Sequence, residues 1–397
     1  MAADPHNVVR LILPRPNPGR PGEEYRDAAV LLREWLAEQI LVADPVPALY
    51  VYEQAESVNG AGSGYAPIQR GLIGRLRLVP PEAGIVLPHE DVSSGPVAGR
   101  LQLMEATEAN LEPIFLLYDS QQGGSSAASA MVAETAAGAP LVETRTADGL
   151  RHRLWAITDA GKLAAIASDL APRQALIADG HHRYAAYLRL QERRRSAGDG
   201  AGPWDYGLAL LVDSSNYPPQ IGAIHRVVPG LDVQQAAKLA AGAFSVQPLP
   251  LAGGEADLPA AMDALALASG TGPAFVLAGN GSAYLLSHPD PDQAAAAMPA
   301  GQSQQWRALP AAVLQELLIS RIWGLTDDDR TVKVVHHDAA AAVRTAEASS
   351  GTAVLCSPMS PAQVYGVAAR GEKVPRKSTS FAPKPRTGLV LRMFAQG

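Results

Sequence analysis

The stretch "LIADGHHRYAAYLRLQERRR", Leu176 to Arg195, reads as a short apolar strand that ends in a turn and feeds a helix. A strand entering a helix in this way presents unpaired backbone N–H groups and the positive end of the helix dipole at one point, which is a ready anion site. Gly180 lets that backbone approach a phosphate closely. Arg183 can add a bidentate, permanently charged clamp, and His181 and His182 can donate hydrogen bonds or move protons near neutral pH. A carboxylate beside a phosphate needs something positive or protic between them. Asp179 therefore makes sense as a Mg²⁺ ligand or as the base for a substrate hydroxyl. A second reading stands beside this one: Asp179 caps the helix, Gly180 turns the chain and one histidine is exposed. Capping accounts for Asp179 but does not call for two histidines and an arginine. Arg193, Arg194 and Arg195 close the helix as a solvated face suited to its negative end.

Outward from the motif, strands and helices alternate. "EEYRDAAVLLREWLAEQILV" carries Ala28, Leu31, Leu32, Trp35 and Leu36 at helical spacing. "ALYVYEQ" and "GLIGRLRLV" read as strands on either side of a Gly-rich "NGAGSG" loop, Leu101 to Asn110 as helix and "PIFLLYD" as a buried strand. "QQGGSSAASA" is a loop entering another helix, and Asp148-Gly149 turns a hairpin. The expected class is α/β, a mixed sheet covered by helices with a smaller α+β subdomain. Composition shifts at Gly230. We therefore expect a main domain over 1–229, an Ala/Gly/Pro-rich subdomain over 230–300 with an Asn-Gly hairpin, and a segment over 301–397 that returns to the main domain.

The chain has 397 residues, 47% of them hydrophobic, enough for one large core or two ordinary ones. A net charge of -6 gives no basic excess to attract a polyanion, so nucleic acid is not the expected partner. One cysteine, Cys356, cannot form an internal disulfide, the start does not read as a signal peptide, and no run is long enough to span a bilayer. The cytoplasm is the expected compartment.

Other residues could join the site. "LPHED" puts His89, Glu90 and Asp91 in a loop, followed by Arg100, which is expected to help hold the cofactor's phosphate; an acid beside a histidine can act as a general base, and a solvated turn is the alternative. "KSTSFAPK" offers Lys377, Ser378, Thr379 and Lys384 in a loop short enough to fold over one anion, or a mobile basic terminal loop. Glu53 and Gln54 read as the end of a strand, where α/β sheets often place site residues. His225 with Arg226, and His336 with His337, are poor joint metal ligands, because neighbours on a strand point to opposite faces.

"NVVRLILP" (7–14), "LPHEDVSSGPVAGRLQLMEATEANLEPIFLLYD" (87–119), "HRLWAITD" (152–159), "IADGHHRYAAYLRL" (177–190) and "KSTSFAPKPRTGLVL" (377–391) together resemble the family catalogued as domain of unknown function 1015, in its actinobacterial form. Over some ten residues, the D-G-H-H-R-Y core is also similar to the phosphate-binding box of sulfiredoxin, of the ParB nucleotide-binding domain and of a free-serine kinase. That likeness implies a ParB/sulfiredoxin-like nucleotide-binding core in which Gly180, His181, His182 and Arg183 hold phosphate and Asp179 faces metal or substrate. Sulfiredoxin's cysteine chemistry does not carry over, because His181 stands in that place. Family members usually begin with a further segment containing Pro-Pro-Tyr-Asp-Val, and they carry aromatic residues where this chain has Ser380 and Ala382. The resemblance implies an enzyme using ATP or ADP with Mg²⁺ to phosphorylate a small hydroxylated metabolite, with Glu90 or His89 as base. Two other readings fit the same anion site: a ParB-like nucleotide-binding regulator, for which a homodimer is expected, and a phosphoester hydrolase.

Overall fold

The computed structural model describes residues 4–16, 19–20, 22–57, 65–120, 126–250 and 257–395. Its contacts divide the chain into two units, Met1–Pro219 with Pro383–Gly397, and Gln220–Ala382. The "NGAGSG" loop and residues 121–125 of "QQGGSSAASA" lie outside the described residues.

Before Pro219, the strands of the first unit are β1 (Leu49–Ser57), β2 (Tyr65–Arg77), β3 (Val86–Leu87), β4 (Ala109–Asn110), β5 (Ile114–Tyr118), β6 (Val142–Arg145), β7 (Arg151–Ile157), β8 (Ala175–Asp179) and β9 (Tyr206–Asp213). All but β4 join one sheet in the order β3-β8-β5-β9-β2-β1-β7-β6. The sheet is mixed: β3 runs parallel to β8 and β5 parallel to β9, while β1 is antiparallel to both its neighbours. Strand β5 sits inside the sheet and all five of its residues are buried, which is why "IFLLY" is apolar without alternation.

The helices are α1 (Val9–Ile12), α2 (Glu24–Ala37), α3 (Ser94–Thr107), α4 (Ala127–Ala136), α5 (Ala160–Leu170) and α6 (His181–Ser196). Helix α2 buries Ala28, Leu32 and Trp35 in a cluster with Leu11 and Leu103, on the face its spacing marks out. Tyr184, Tyr187 and Leu190 of α6 pack with Val97 and Leu101 of α3 and with Ile114 and Leu116 of β5. Arg193, Arg194 and Arg195 pair with Glu105, Asp199 and Asp205.

Leu116, Leu211, Leu72 and Val51 are paired in a row across β5, β9, β2 and β1, so they share one face. Two residues further along β1 on that face lies Glu53, fully buried. It is not at a strand end, as its sequence context suggests, because β1 continues to Ser57. Its cross-strand partners are Arg70 on β2 and Arg153 on β7. Arg70 donates from Nε (2.9 Å) and Nη2 to Oε2, and Arg153 donates to Oε1 from Nε (2.8 Å) and Nη2 (2.6 Å). Gln54 points to the other face. There its amide donates to Gln69 Oε1 (3.3 Å) and to the Lys384 carbonyl (2.9 Å), while the Gln69 amide donates to the Pro383 carbonyl (2.9 Å). The Arg386 N–H donates to the Tyr52 hydroxyl (3.1 Å), so the returning C-terminal segment is stitched to this sheet.

The second unit contains β10 (Gln220–Ile221), β11 (Ile224–Val228), β12 (Ser245–Leu249), β13 (Phe275–Gly279), β14 (Ser282–Ser287), β15 (Lys333–His336), β16 (Thr352–Cys356) and β17 (Phe381–Ala382). Six of them form a sheet in the order β12-β14-β13-β16-β11-β15, and β10 pairs with β17. Helices α7 (Val233–Ala240) and α8 (Leu258–Ser269) cover it, together with the π-helix Val313–Ile322. Asn280 and Gly281 both have positive φ, as a two-residue hairpin of this kind requires.

The composition shift at Gly230 therefore does not mark the boundary. Strand β11 precedes it and pairs with β15 and β16, so the second sheet draws on residues before 230 and beyond 300. Only the segment from Pro383 belongs to the first unit. Composition records where Ala, Gly and Pro gather, and strand pairing does not follow it.

Two stability predictions follow from burial. Replacing Glu53 by Gln leaves two largely covered arginines facing a buried neutral amide, and we expect a loss of about 3–5 kcal/mol in urea denaturation, against less than 1 kcal/mol for Glu143→Gln on the exposed β6. His225 is held down to about 4 from 6.5 by burial first and by the neighbouring His337 second. Between pH 6.5 and 4 the unfolded chain binds a proton that the folded chain refuses. Stability therefore falls as pH falls through that window, by about 3 kcal/mol in total, and His225→Gln should flatten the slope.

Candidate functional site

Strand β8 delivers Asp179, and Gly180 then turns the chain with φ +99°, in the left-handed region, as the N-cap of α6. No side chain caps this helix. The capping alternative for Asp179 is thus not what the structure shows. The carboxylate instead accepts from Arg183 Nη2 at Oδ2 (2.6 Å) and from Lys384 Nζ at Oδ1 (2.7 Å). Glycine is required at position 180 by space as well as by φ. A Cβ there would lie 2.9 Å from Arg183 Nε and 3.0 Å from Ile114 Cγ2.

Arg183 is mostly buried and is shared between Asp179 and Glu112, whose Oε1 lies 3.0 Å from Nη1. Its Nε is buried without a hydrogen-bond partner among the described residues. Glu112 also pairs with Arg100 (3.3 Å), which donates to the Ile12 carbonyl (2.7 Å). The sequence reading placed Arg100 on the anion itself. In the structure it buttresses Glu112 and reaches the motif only through it. Glu112 was not singled out from sequence; its one signal is an acid two residues before the buried strand β5.

His89 is fully buried and stands edge-on to His181, with ring centroids 4.5 Å apart. The His89 N–H donates to His181 Nε2 (3.3 Å). That bond puts the His181 ring proton on Nδ1, the nitrogen 3.7 Å from Glu90 Oε2. Glu90 Oε1 lies 3.8 Å from His89 Nε2, and its side chain is 36% exposed. Of the two proposed bases, the one open to a substrate is Glu90. The Ser93 N–H donates to His182 Nε2 (3.1 Å), so this imidazole also steadies the start of α3.

Two metal arrangements can be tested on these residues. His89, Glu90 and His181 bring ligating atoms within 4.8 Å of one another. A ring nitrogen that carries a proton cannot ligate, and the bond from the His89 N–H leaves the proton on the nitrogen facing Glu90. Asp179 does not fit Mg²⁺ either. Both its oxygens are engaged by cationic side chains, whereas Mg²⁺ demands oxygen ligands around it.

Lys377, Ser378 and Thr379 belong to the second unit. The Ser378 hydroxyl donates to the Pro375 carbonyl (2.6 Å), Thr379 is buried, and "KSTSFAPK" is interrupted by β17, so it is not one loop over an anion. Of that group, Lys384 is the residue that reaches the motif. In the second unit, His225 Nδ1 accepts from the Cys356 N–H, His337 Nε2 lies 3.0 Å from Ser380 Oγ, and Arg226 pairs with buried Asp327 (3.5 Å).

The chain belongs to the family described as "Protein of unknown function (DUF1015)", whose model matches residues 1–312. No match was found among curated proteins. Among solved structures it is similar to a free serine kinase in complex with AMP, at 14% identity and TM-score 0.37 over 78% of this chain and 87% of that one. It is also similar to a conserved hypothetical protein from Pyrococcus furiosus, at 14% identity and TM-score 0.38 over 82% and 96%. A third likeness is to SbnI with C-terminal truncation from Staphylococcus aureus, at 12% identity and TM-score 0.35 over 78% and 83%. Among the described residues, no helix is long and apolar enough to cross a membrane.

The cost of filling the glycine position is measurable. Gly180→Ala should destabilise the protein by about 1–3 kcal/mol, from the strained φ and the displaced Arg183, as read by chemical denaturation. An alanine at Gly149, whose φ is also positive but whose surroundings are open, should cost less.

Proposed function

We propose that this family member is a cytoplasmic, nucleotide-dependent phosphotransferase that uses ATP or ADP to phosphorylate the hydroxyl of a small polar metabolite. The observation that carries the proposal is the uncapped N-terminus of α6, with a buried Arg183 Nε that has no acceptor among the described residues and with Lys384 beside it. An unmatched buried donor next to a helix N-terminus is complementary to a phosphate oxygen.

The phosphate chain would lie against the first turn of α6 and accept from Arg183 Nε and Lys384 Nζ. Lys384 is largely exposed, and it can exchange Asp179 for phosphate at small cost. Glu90 would take the proton of the acceptor hydroxyl. The acceptor oxygen then attacks the terminal phosphorus, the bond from that phosphorus to the leaving nucleoside diphosphate or monophosphate breaks, and the negative charge left on that nucleotide is neutralised by Arg183 and Lys384 at α6. His181, its tautomer set by the His89 N–H, would orient Glu90. Nothing in this sequence of steps is routed through a metal.

A regulator that binds nucleotide without turnover, and a hydrolase with water as acceptor, share the same anion site. The partly exposed Glu90 beside a fixed histidine favours chemistry over binding alone.

Calorimetric titration of ATP, ADP and CTP, with and without Mg²⁺, should give binding that Arg183→Ala abolishes and that Lys384→Ala weakens about 10-fold. Since Asp179 already has two cationic partners, binding should persist when Mg²⁺ is withheld. No binding of any nucleotide to the wild type overturns the proposal. In a screen of hydroxylated metabolites for phosphate transfer, Glu90→Gln should retain nucleotide affinity and lose about 10²–10⁴ in turnover. Equal turnover by that variant removes Glu90 from the base role.

A further inference from the structure

A cavity of about 520 Å³ opens beneath α4 on the Leu72 face of the large sheet, lined by Arg70, Tyr118, Ser120, Asp213, Asn216 and Tyr217 among others. None of these residues belongs to the D-G-H-H-R site. We propose that this cavity binds a small organic monocarboxylate carrying a hydroxyl or amino donor.

The charge pattern comes from Glu53. One buried carboxylate faces two arginines, so the Arg70–Glu53–Arg153 cluster carries a surplus positive charge that cannot titrate away. Glu53 consumes Nε and Nη2 of Arg70. The remaining nitrogen, Nη1, has no partner among the described residues, and Arg70 lines the cavity. The Tyr217 ring lies 5.9 Å from the Arg70 guanidinium carbon, and its hydroxyl makes no hydrogen bond to described residues. A carboxylate group would be bound by Arg70 Nη1 and the Tyr217 hydroxyl together.

The opposite wall selects against larger charge. Asp213 is buried, and four donors hold it: the Ser120 and Ser215 N–H groups at Oδ1 (3.2 and 3.1 Å), and Ser129 Oγ and Asn216 Nδ2 at Oδ2 (both 2.6 Å). A saturated carboxylate is not a base for the ligand. It remains a fixed negative charge that opposes a dianion such as phosphate. The Ser120 hydroxyl also faces Asp213. The Asn216 side-chain carbonyl has no partner among the described residues, and it can accept from a hydroxyl or ammonium on the ligand. The cavity has the volume of a small-molecule site and exceeds what one ion needs.

The test is a thermal-shift and calorimetric titration of the full chain with L-lactate, lactamide and inorganic phosphate at constant ionic strength. Lactate should bind saturably and lactamide should not. Tyr217→Phe and Asn216→Ala, which leave the Glu53 pairing intact, should each weaken lactate about 5-fold. Arg183→Ala should leave it unchanged, so failure of nucleotide binding at α6 and failure here are separate results. Saturable binding of lactamide equal to that of lactate, binding of phosphate alone, no saturable binding of any of the three, or unchanged affinity in Tyr217→Phe would each overturn the proposal.

Discussion

The first unit is held closed by a grip on three residues that arrive late in the chain. Gln69 and Gln54 hold the carbonyls of Pro383 and Lys384, Tyr52 takes the Arg386 N–H, and Arg386 pairs with Asp148. These bonds need two adjacent strands to present two amides on one face at matched height, which the Gln54↔Gln69 register supplies. Lys384 meets Asp179 because of that grip. The motif at Gly180 would otherwise hold one cation instead of two.

The same strand serves both faces. Alternation along β1 sends Gln54 to the tail and Glu53 to the arginine pair, so one register shift of a single residue would exchange an amide for a charge and undo both. Three cross-strand partners, Arg70, Glu53 and Arg153, tie β2, β1 and β7 through a carboxylate that water never reaches. Packing on that face leaves room beside the cluster, and the polar cavity follows from it.

Much of the fold could be read from local pattern. The α2 stripe, the buried "IFLLY" strand, the two hairpins and the strand-to-helix turn at Gly180 all depend on residues close in sequence, and each forms where its spacing or turn chemistry places it. The second unit's boundary could not be read this way, because β11 finds its partners more than a hundred residues later. The site divided along the same line. Asp179, Gly180, His181 and Arg183 were visible as a motif, and His89 and Glu90 as a neighbouring acid and base. Glu112 was not, since its role comes from two arginines that meet it only in space. Arg100 was visible as a charge, but its aim was not. "KSTSFAPK" looked like one loop because nothing in its residue types announces a short strand at Phe381 that splits it.

The placement of Lys384 also sets an order of events during synthesis. The ribosome delivers Asp179, Gly180 and Arg183 well before the second unit, and Lys384 only after it. A nascent chain can therefore fold the strand-to-helix turn early while its carboxylate is still matched by one cation. The fully charged arrangement is available only once Lys384 itself has been synthesised. If α6 holds phosphate as proposed, a growing or prematurely terminated chain, which lacks Lys384, would hold it less tightly than the released protein.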